Sequence, residues 1–462
     1  MPRGVSDTVH HVPPSLPLAA MPATATDLIP ILRLDDVEDR EHVERLVSGL
    51  RLDPRDLFRD DGRTETVRRI LADVAERGDD AVVESAQQFD DPNFTAAQIR
   101  VEPDEMAEAA SRVPGELMKA LRRSIEQVRE YQQHLMPGPE IPELRRGGTR
   151  LGMRYTPLAS AGCYFPGGKA SYPSSLIHLA VPAQVAGVEQ IVAVTPPSRY
   201  GRSDLVLAAG HELKLPFMIR AGGAAAIAAL AFGTESIPAV DKIVGPGNTY
   251  VQIAKRLVAG GVGTDGFLGP SEVLVFADET ANPAFVAADL MAQAEHDPGS
   301  CYLLTTDADL PAKVVAEMER QLIDLKRSDA IRQALANHSA IVVGSDRDAL
   351  CDLARRLAPE HMNVQTRDPR ADLKNLPNAG CTFVGPHSPV AAGDYVAGPS
   401  HCLPTNTTAR FAGGISVFEF LKRGSLVEYD ADGLRDDADA VTRLADAEGL
   451  DAHAASVRIR TQ

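Results

Sequence analysis

From about residue 155 onward, short β-rich runs alternate with alanine-rich stretches of helical spacing, and this alternation limits the possible folds more than any other feature. It is typical of βαβ units, in which helices pack on both faces of a parallel sheet. The first series of predicted strands is followed by a second series in the same style. Strands are predicted at 191–195, 217–220, 242–244, 272–277, 302–305, 340–343, 363–365 and 382–384, with helices at 224–232, 249–258, 310–325 and 347–357.

The two series predict an α/β fold with two consecutive Rossmann-like, doubly wound domains, residues 151–268 and 269–410. The segments on either side of these two series do not show the alternation of strands and helices. Apolar residues at helical spacing from Val67 to Val74, stopping at Gly78, predict a helix, and residues 29–150 are predicted to be mainly helical. Residues 1–28 are predicted to be a disordered extension, and residues 411–462 a helical carboxy-terminal tail.

Composition excludes several classes of protein. The 462 residues include 47 basic and 64 acidic side chains, a formal net charge of −17, and no Lys/Arg-rich run, so nucleic acid is not an expected partner. No apolar stretch approaches the ~20 residues that a membrane span needs. The cysteines are odd in number and no two are separated by two residues, which favours neither a disulfide framework nor a cysteine zinc site and fits a reducing cytoplasm.

The pair Gln293 and His296 is a candidate for metal binding. Asn282 is a predicted N-cap with Pro283 at the first helical position, and the helix should run to about His296. Residues three apart on a helix share a face, so both side chains could bind one ion. By itself, this spacing is more typical of an ordinary helix end.

Other polar residues could carry chemistry. Glu360 and His361 are adjacent, and a carboxylate beside an imidazole offers a base and a proton carrier near neutral pH. Asp394 and His401 lie in a loop rich in Gly and Pro, residues 393–405, of the kind that usually forms turns and sometimes sites. Three glycine-rich turns, 166–175, 221–226 and 245–248, each lead from a predicted strand towards a helix, where free N–H groups favour anions. None of them is GxGxxG, and singly each is more typical of a tight turn.

Together these pieces resemble the histidinol dehydrogenase family from about residue 64 to residue 460. The resemblance rests on seven strings in this order: CYFPGGKASYPSS, VGPGNTYV, GPSEVLVFADETANP, AQAEH, APEH, AGDYVAGPSHCLPT and EGLDAHAASV. It implies a cytoplasmic enzyme of histidine biosynthesis that oxidises L-histidinol through the aldehyde to L-histidine. It further implies two NAD, one Zn²⁺ per subunit, and a homodimer whose exchanged carboxy-terminal tails complete shared active sites.

The resemblance also implies roles for individual residues. The catalytic acid/base residues are Glu360 and His361. The zinc ligands are Gln293, His296, Asp394 and His453. Substrate contacts are Ser271, His401 and Glu448 together with the zinc ligands and His361, and nucleotide contacts are Tyr164 and Asn248.

Two positions depart from the family pattern and bear on NAD affinity and loop geometry, and two other functions stay open. Ala225 stands where the family usually has a nucleotide-binding Gln, and Ser400 stands where Asn commonly precedes the His. One alternative is a related zinc- and NAD-dependent alcohol dehydrogenase, such as a sulfopropanediol dehydrogenase, although Glu448 favours a cationic amine over an anionic substrate. The other is a non-catalytic NAD- or metal-binding module, for which the change at Ala225 is the support.

Overall fold

A computed structural model of the chain describes residues 28–52, 55, 62–167, 170–296 and 299–462. The predicted disordered extension, residues 1–28, lies outside the described residues except for Leu28. Within the described ranges, no helix combines the length and apolar character needed to cross a membrane.

The described residues contain fifteen strands, arranged in two six-stranded sheets and one three-stranded sheet. In chain order they are β1 Ile31–Arg33, β2 Arg100–Val101, β3 Glu140–Arg146, β4 Thr149–Pro157, β5 Ser160–Tyr164, β6 Gln190–Thr195, β7 Met218–Arg220, β8 Lys242–Val244, β9 Gly263–Thr264, β10 Ser271–Ala277, β11 Gly299–Thr305, β12 Ala340–Val343, β13 His361–Gln365, β14 Cys381–Val384 and β15 Leu421–Tyr429.

Seventeen α-helices lie in the same part of the chain. They are α1 Val37–Leu50, α2 Arg63–Arg77, α3 Asp79–Phe89, α4 Pro103–Arg112, α5 Gly115–Leu135, α6 Pro173–Ala186, α7 Asp204–Glu212, α8 Gly223–Phe232, α9 Thr249–Val258, α10 Pro283–Ala294, α11 Leu310–Leu322, α12 Ser328–His338, α13 Arg347–Leu357, α14 Pro369–Asp372, α15 Val390–Tyr395, α16 Ala431–Ala447 and α17 Asp451–Arg458.

The first large sheet has the strand order β2-β7-β6-β5-β8-β9. Its strands run parallel, except that the edge strand β2 is antiparallel to β7. Two apolar clusters cover its opposite faces, one formed with α4 to α7 and the other with α2, α3, α8 and α9. Helices on both faces of a parallel sheet confirm the predicted doubly wound architecture.

The second large sheet has the order β1-β12-β11-β10-β13-β14, and all its strands are parallel. Helices α10, α11 and α12 pack on one face and helices α1 and α13 on the other. The central strands are almost continuously apolar because both faces are covered. The prediction of two Rossmann-like domains is confirmed.

The second sheet also takes a strand from the start of the chain, which the prediction did not include. β1 pairs with β12, and α1 lies against α13, where Glu44 accepts a hydrogen bond of 2.9 Å from Arg356. Residues 31–50 therefore belong with the second sheet, whereas α2 to α5 pack on the first. β1 is only three residues long, with Leu32 buried. It is too short for an alternation of apolar and polar residues to be recognised in the sequence.

The carboxy-terminal tail ends in helices α16 and α17, as predicted, but a strand precedes them. β15 pairs antiparallel with β4 along nine residues, and β3 completes the small sheet on the other side of β4. The β15 sequence LKRGSLVEY is mostly polar and its side chains are largely exposed. Since it has no alternation of buried and exposed positions, its extended form comes from pairing with β4.

A buried ion pair holds the turn that follows β8. Lys255 of α9 and Asp265 are both almost fully buried and in contact. Lys255 Nζ donates to the Gly245 carbonyl at 3.0 Å, and the Gly245 N–H donates to Asp265 at 2.6 Å. Gly245 has φ +122°, and a Cβ there would lie 1.8 Å from the Tyr164 carbonyl oxygen. Only glycine fits this turn.

We expect Lys255→Met to lower the free energy of unfolding by about 3–5 kcal/mol, because it leaves the Asp265 carboxylate buried without its cation. Urea denaturation at pH 7 measures the change. Lys255→Met/Asp265→Asn is the control, since the amide oxygen can still accept from the Gly245 N–H. The double variant should recover part of the loss, and a larger loss in the double variant would contradict this role for the pair.

Candidate functional site

A cavity of about 280 Å³ lies between the carboxyl edge of the first large sheet and the amino edge of the second. The loops after β5 and β8 reach it from the first sheet. Ser271 and His361, the first residues of β10 and β13, reach it from the second. The cavity brings together eight of the residues proposed from the sequence: Asn248, Ser271, Gln293, His296, Glu360, His361, Asp394 and His401.

Glu360 and His361 are buried at the start of β13 and held by the backbone of β10. The Glu360 carboxylate accepts a hydrogen bond of 2.9 Å from the Glu272 N–H. His361 Nδ1 lies 3.2 Å from the Glu272 carbonyl oxygen and 3.4 Å from Glu360 Oε2. Because a carbonyl can only accept, Nδ1 carries the proton and Nε2 faces Asp394, whose Oδ1 is 3.8 Å away.

The charges around His361 make it a strong proton acceptor. Burial lowers its pKa, but the carboxylates of Glu360 and Asp394 oppose this and raise the pKa to about 9. The two carboxylates stabilise the positively charged form of the imidazole more than its neutral form. The arrangement can therefore receive a proton at Nε2 and keep the resulting cation paired.

His401 is held in one ring orientation by three neighbours. Its Nδ1 lies 3.0 Å from the Asp394 carbonyl oxygen, and its Nε2 lies 3.1 Å from Ser175 Oγ. The ring of His178 stacks against it, with centroids 4.6 Å apart. Burial lowers the pKa of both histidines, so the stacked pair is neutral. His178 is fully buried, and neither of its ring nitrogens has a hydrogen-bond partner among the described residues.

Three of the four proposed metal ligands line the cavity. Gln293 is buried at the end of α10, and its Nε2 has no partner in the described structure, so its amide is free to turn an oxygen towards an ion. His296 lies exposed at the rim. Asp394 comes from α15, where a Cβ on Gly393 would lie 2.5 Å from the Phe383 ring, so only glycine permits this approach. Oxygen and nitrogen donors of this kind suit zinc.

Glu448 and His453 lie outside the cavity of their own chain. Both are exposed, Glu448 at the end of α16 and His453 within α17. The tail also exposes apolar side chains, including Leu444 and Ile459. Within the described residues of one chain, no group of three or more His, Cys, Asp or Glu side chains is placed to hold a metal ion. Of the four proposed ligands, His453 is the one that does not line the cavity.

A second cavity of about 580 Å³ adjoins the first and is lined by Tyr164 and Asn248. Both cavities share Pro166, Tyr172, Gly247 and Asn248. The second cavity meets the amino ends of α8 and α9, which favour anions. Tyr164 Oη accepts from the Gly223 N–H at 3.4 Å, and Asn248 caps α9 through the Val251 N–H.

The two departures from the family pattern do not line either cavity. Ala225 is buried inside α8. Ser400 Oγ lies 3.3 Å from the His178 carbonyl oxygen, to which it donates, and accepts from the Cys402 N–H at 3.1 Å. Ser400 thus packs behind the His178–His401 stack and shapes the loop from within.

Sequence reasoning missed three residues that support the site: Ser175, His178 and Glu272. The string SYPSS was treated as a turn, and His178 stands in a helix that is otherwise almost wholly apolar, which is the signal that could have singled it out. Glu272 follows Ser271 in a buried strand, where a carboxylate is unusual. Burial, reinforced by Glu360, raises the pKa of Glu272 to about 8 in spite of its hydrogen bond from Asn406.

Comparisons with known protein families, sequences and solved structures all find similarity to histidinol dehydrogenases over most of the chain. The histidinol dehydrogenase family model matches residues 55–461. A histidinol dehydrogenase of Synechococcus sp. is 46% identical over 402 residues, 87% of this chain and 92% of that protein. One from Rhodopirellula baltica is 43% identical over 399 residues, 86% of each. The crystal structure of histidinol dehydrogenase from Elizabethkingia anophelis is 31% identical, with a TM-score of 0.87 over 94% of this chain and 98% of that one.

The buried carboxyl of Glu272 predicts a pH-dependent stability. Because folding raises its pKa, the folded state favours the protonated form, and ionisation costs stability progressively as pH rises from about 5 to 8. We expect Glu272→Gln to gain at least about 1 kcal/mol relative to the parent chain between pH 5 and pH 8. Urea denaturation at both pH values measures it. The exposed Glu189→Gln is the control, and parallel pH profiles for all three chains would refute the expectation.

Proposed function

The chain belongs to the histidinol dehydrogenase family of NAD-dependent oxidoreductases, and from this we propose that it oxidises L-histidinol through L-histidinal to L-histidine with two NAD and one Zn²⁺ per subunit. The observation that carries the proposal is the single cavity in which Glu360 and His361 meet Gln293, His296 and Asp394. The five cysteines are all free thiols, which supports a cytoplasmic location.

The residues fit a zinc ion if two chains share the site. Gln293, His296 and Asp394 would hold it from one subunit and the partner's His453 would complete the set. The unpartnered, buried Gln293 amide and the exposed, unused His453 both support this assignment. When bound, zinc would hold and orient the substrate through its amine and imidazole nitrogens.

His361 would act on the alcohol. In its neutral form, with Nδ1 donating to the Glu272 carbonyl, the unprotonated Nε2 would face the cavity. It would receive the hydroxyl proton as hydride leaves for the nicotinamide, and the carboxylates of Glu360 and Asp394 would stabilise the imidazolium. Its position at the start of a central strand limits movement of the ring.

Glu360 would act at the aldehyde stage. The second oxidation needs water to add to the aldehyde, and a carboxylate that lines the cavity can take the water's proton. Glu360 Oε2 is occupied by the Glu272 N–H, which leaves the other oxygen for this role. Two adjacent residues would thus serve the two oxidations.

The remaining proposed contacts place the substrate. Ser271 and His401 line the cavity, and His401 is fixed by Ser175 and Asp394. The partner's Glu448 would attract the substrate's ammonium group. Since Glu448 and His453 are exposed in a tail that packs mainly through β15 on β4, exchange of tails between two subunits would bring both into the partner's cavity.

NAD would occupy the second cavity. The amino end of α9 would bind its pyrophosphate, and Tyr164 and Asn248 would contact the nucleotide. Because Pro166, Tyr172 and Asn248 line both cavities, the nicotinamide could reach the substrate from there. Ala225 contributes no side-chain contact, so the α8 backbone would bind alone at that point.

We expect chelation to abolish NADH formation and zinc to restore it, because Gln293, His296, Asp394 and the partner's His453 would lose their common ion. Activity and zinc content are measured on the same samples. Full turnover by a preparation shown to be metal-free would rule out the zinc requirement.

Exchange of tails predicts complementation. His453→Asn removes a ligand that acts in the partner's site, whereas His361→Asn inactivates its own cavity. A mixed dimer should contain one site with both residues intact, so each mixed dimer should have about half of the activity of a parental dimer, and a fully exchanged equal mixture about a quarter of the parental activity. Subunit exchange is verified by native mass spectrometry. Mixed dimers without activity would count against a shared site.

Separate roles for Glu360 and His361 predict separable defects. Glu360→Gln can keep the hydrogen bond from the Glu272 N–H but removes the base, so oxidation of supplied histidinal should fall by roughly 10²- to 10⁴-fold while the first hydride step suffers less. His361→Asn should slow the first step. Pre-steady-state NADH formation from histidinol and from histidinal measures both. Equal losses in the two half-reactions for Glu360→Gln would show that the proposed division is wrong.

A further inference from the structure

Asp90 is a carboxylate of the second cavity that the proposed chemistry does not use. It follows α3 at the cap position, where its N–H donates to the Ala86 carbonyl. Its side chain is half-buried and lines the cavity. Among the described residues, it has no hydrogen-bond or ion-pair partner. Burial alone raises its pKa, as expected for a carboxyl that has lost water and gained no cation.

The neighbouring Asp91, in the same loop, has the contacts expected of a carboxylate with a structural role. Asp91 forms an ion pair of 2.6 Å with Arg202 and accepts from the Asn93 N–H at 3.0 Å. Asp90 has neither kind of contact. A half-buried carboxylate that is left unpaired in a cavity is placed for a ligand that donates hydrogen bonds.

The position of Asp90 identifies the part of the ligand it meets. Asp90 Oδ2 lies 2.8 Å from the point where a Cβ on Gly222 would stand, so the carboxylate is directly beside the amino end of α8. Phe89 and Ile70 line the cavity on this side and do not line the first cavity. Phe89 is 67% exposed, an apolar surface open to a flat ring. Asp90 thus lies in a part of the second cavity that is not shared with the first.

We propose that Asp90 accepts hydrogen bonds from the hydroxyl groups of the adenosine ribose of NAD and excludes NADP, making it the residue that selects the cofactor. The inference rests on the proposed binding of NAD in this cavity. A carboxylate accepts from a ribose diol, and it repels a 2′-phosphate. Asp90 is the only charged residue among the described residues that line the cavity, so none of them offers a cation to a 2′-phosphate.

The test compares NAD and NADP with Asp90→Asn and Asp90→Ser. The dissociation constants of NADH and NADPH are measured by fluorescence titration, and kcat/KM for NAD and NADP at saturating histidinol. The parent chain should prefer NAD. Both variants should shift the preference towards NADP by about tenfold to a hundredfold, the range that corresponds to one hydrogen bond to a charged group.

Asp80→Asn is the matched control, since Asp80 is an exposed carboxylate of the same helix and the variant changes the net charge equally. It should leave the preference unchanged. Ser85→Trp, which fills the cavity, separates the two hypotheses. If it abolishes NADH binding but the Asp90 variants keep the parental preference, the role of Asp90 is overturned and the cavity remains the NAD site. If it leaves NADH binding intact, the location of NAD is wrong, and the inference falls with it.

Discussion

The carboxylate of Asp289 joins the three elements that carry the site. It lies on α10, accepts from Asn363 Nδ2 at 2.7 Å and from Gln365 Nε2 at 3.1 Å on β13, and accepts from the Val390 N–H at 3.4 Å at the start of α15. Helix α10 carries Gln293 and leads directly to His296, β13 begins with His361, and α15 carries Asp394. One buried group therefore sets the spacing between the metal-ligand candidates and His361, the proposed catalytic base.

Burying the Asp289 carboxylate between these three elements costs folding free energy. Burial raises the pKa of Asp289 to about 6, and its amide donors oppose this only in part. Glu272 is buried near Glu360 in the same way, with its pKa raised to about 8. Carboxylates held in such surroundings reduce stability, and active sites commonly contain groups of this kind. The surrounding apolar sheet offsets the cost, since β10 and β13 are covered on both faces.

The carboxyl edge of the first large sheet faces the amino edge of the second across the cavities. The two sheets therefore contribute different kinds of group to the site. The first presents its carboxyl edge, where turns after parallel strands lead into helix amino ends that suit phosphate groups. The second presents its amino edge, where the side chains of Ser271 and His361 begin their strands. The proposed nucleotide contacts and the proposed proton acceptor therefore come from different sheets, with Asn248 lining both cavities.

The sequence by itself determined the alternation of strands and helices, since buried parallel strands and amphipathic helices have local periodicities. It also singled out the candidate site residues Gln293, Glu360 and His361, because they stand in strings that resemble a known family. Only the tertiary structure decided that β1 joins the second sheet, that β15 is a strand, and that His178 stacks on His401. The physical reason is the same in each case: these features come from contacts between residues far apart along the chain, and such contacts leave no periodic signal in the local sequence.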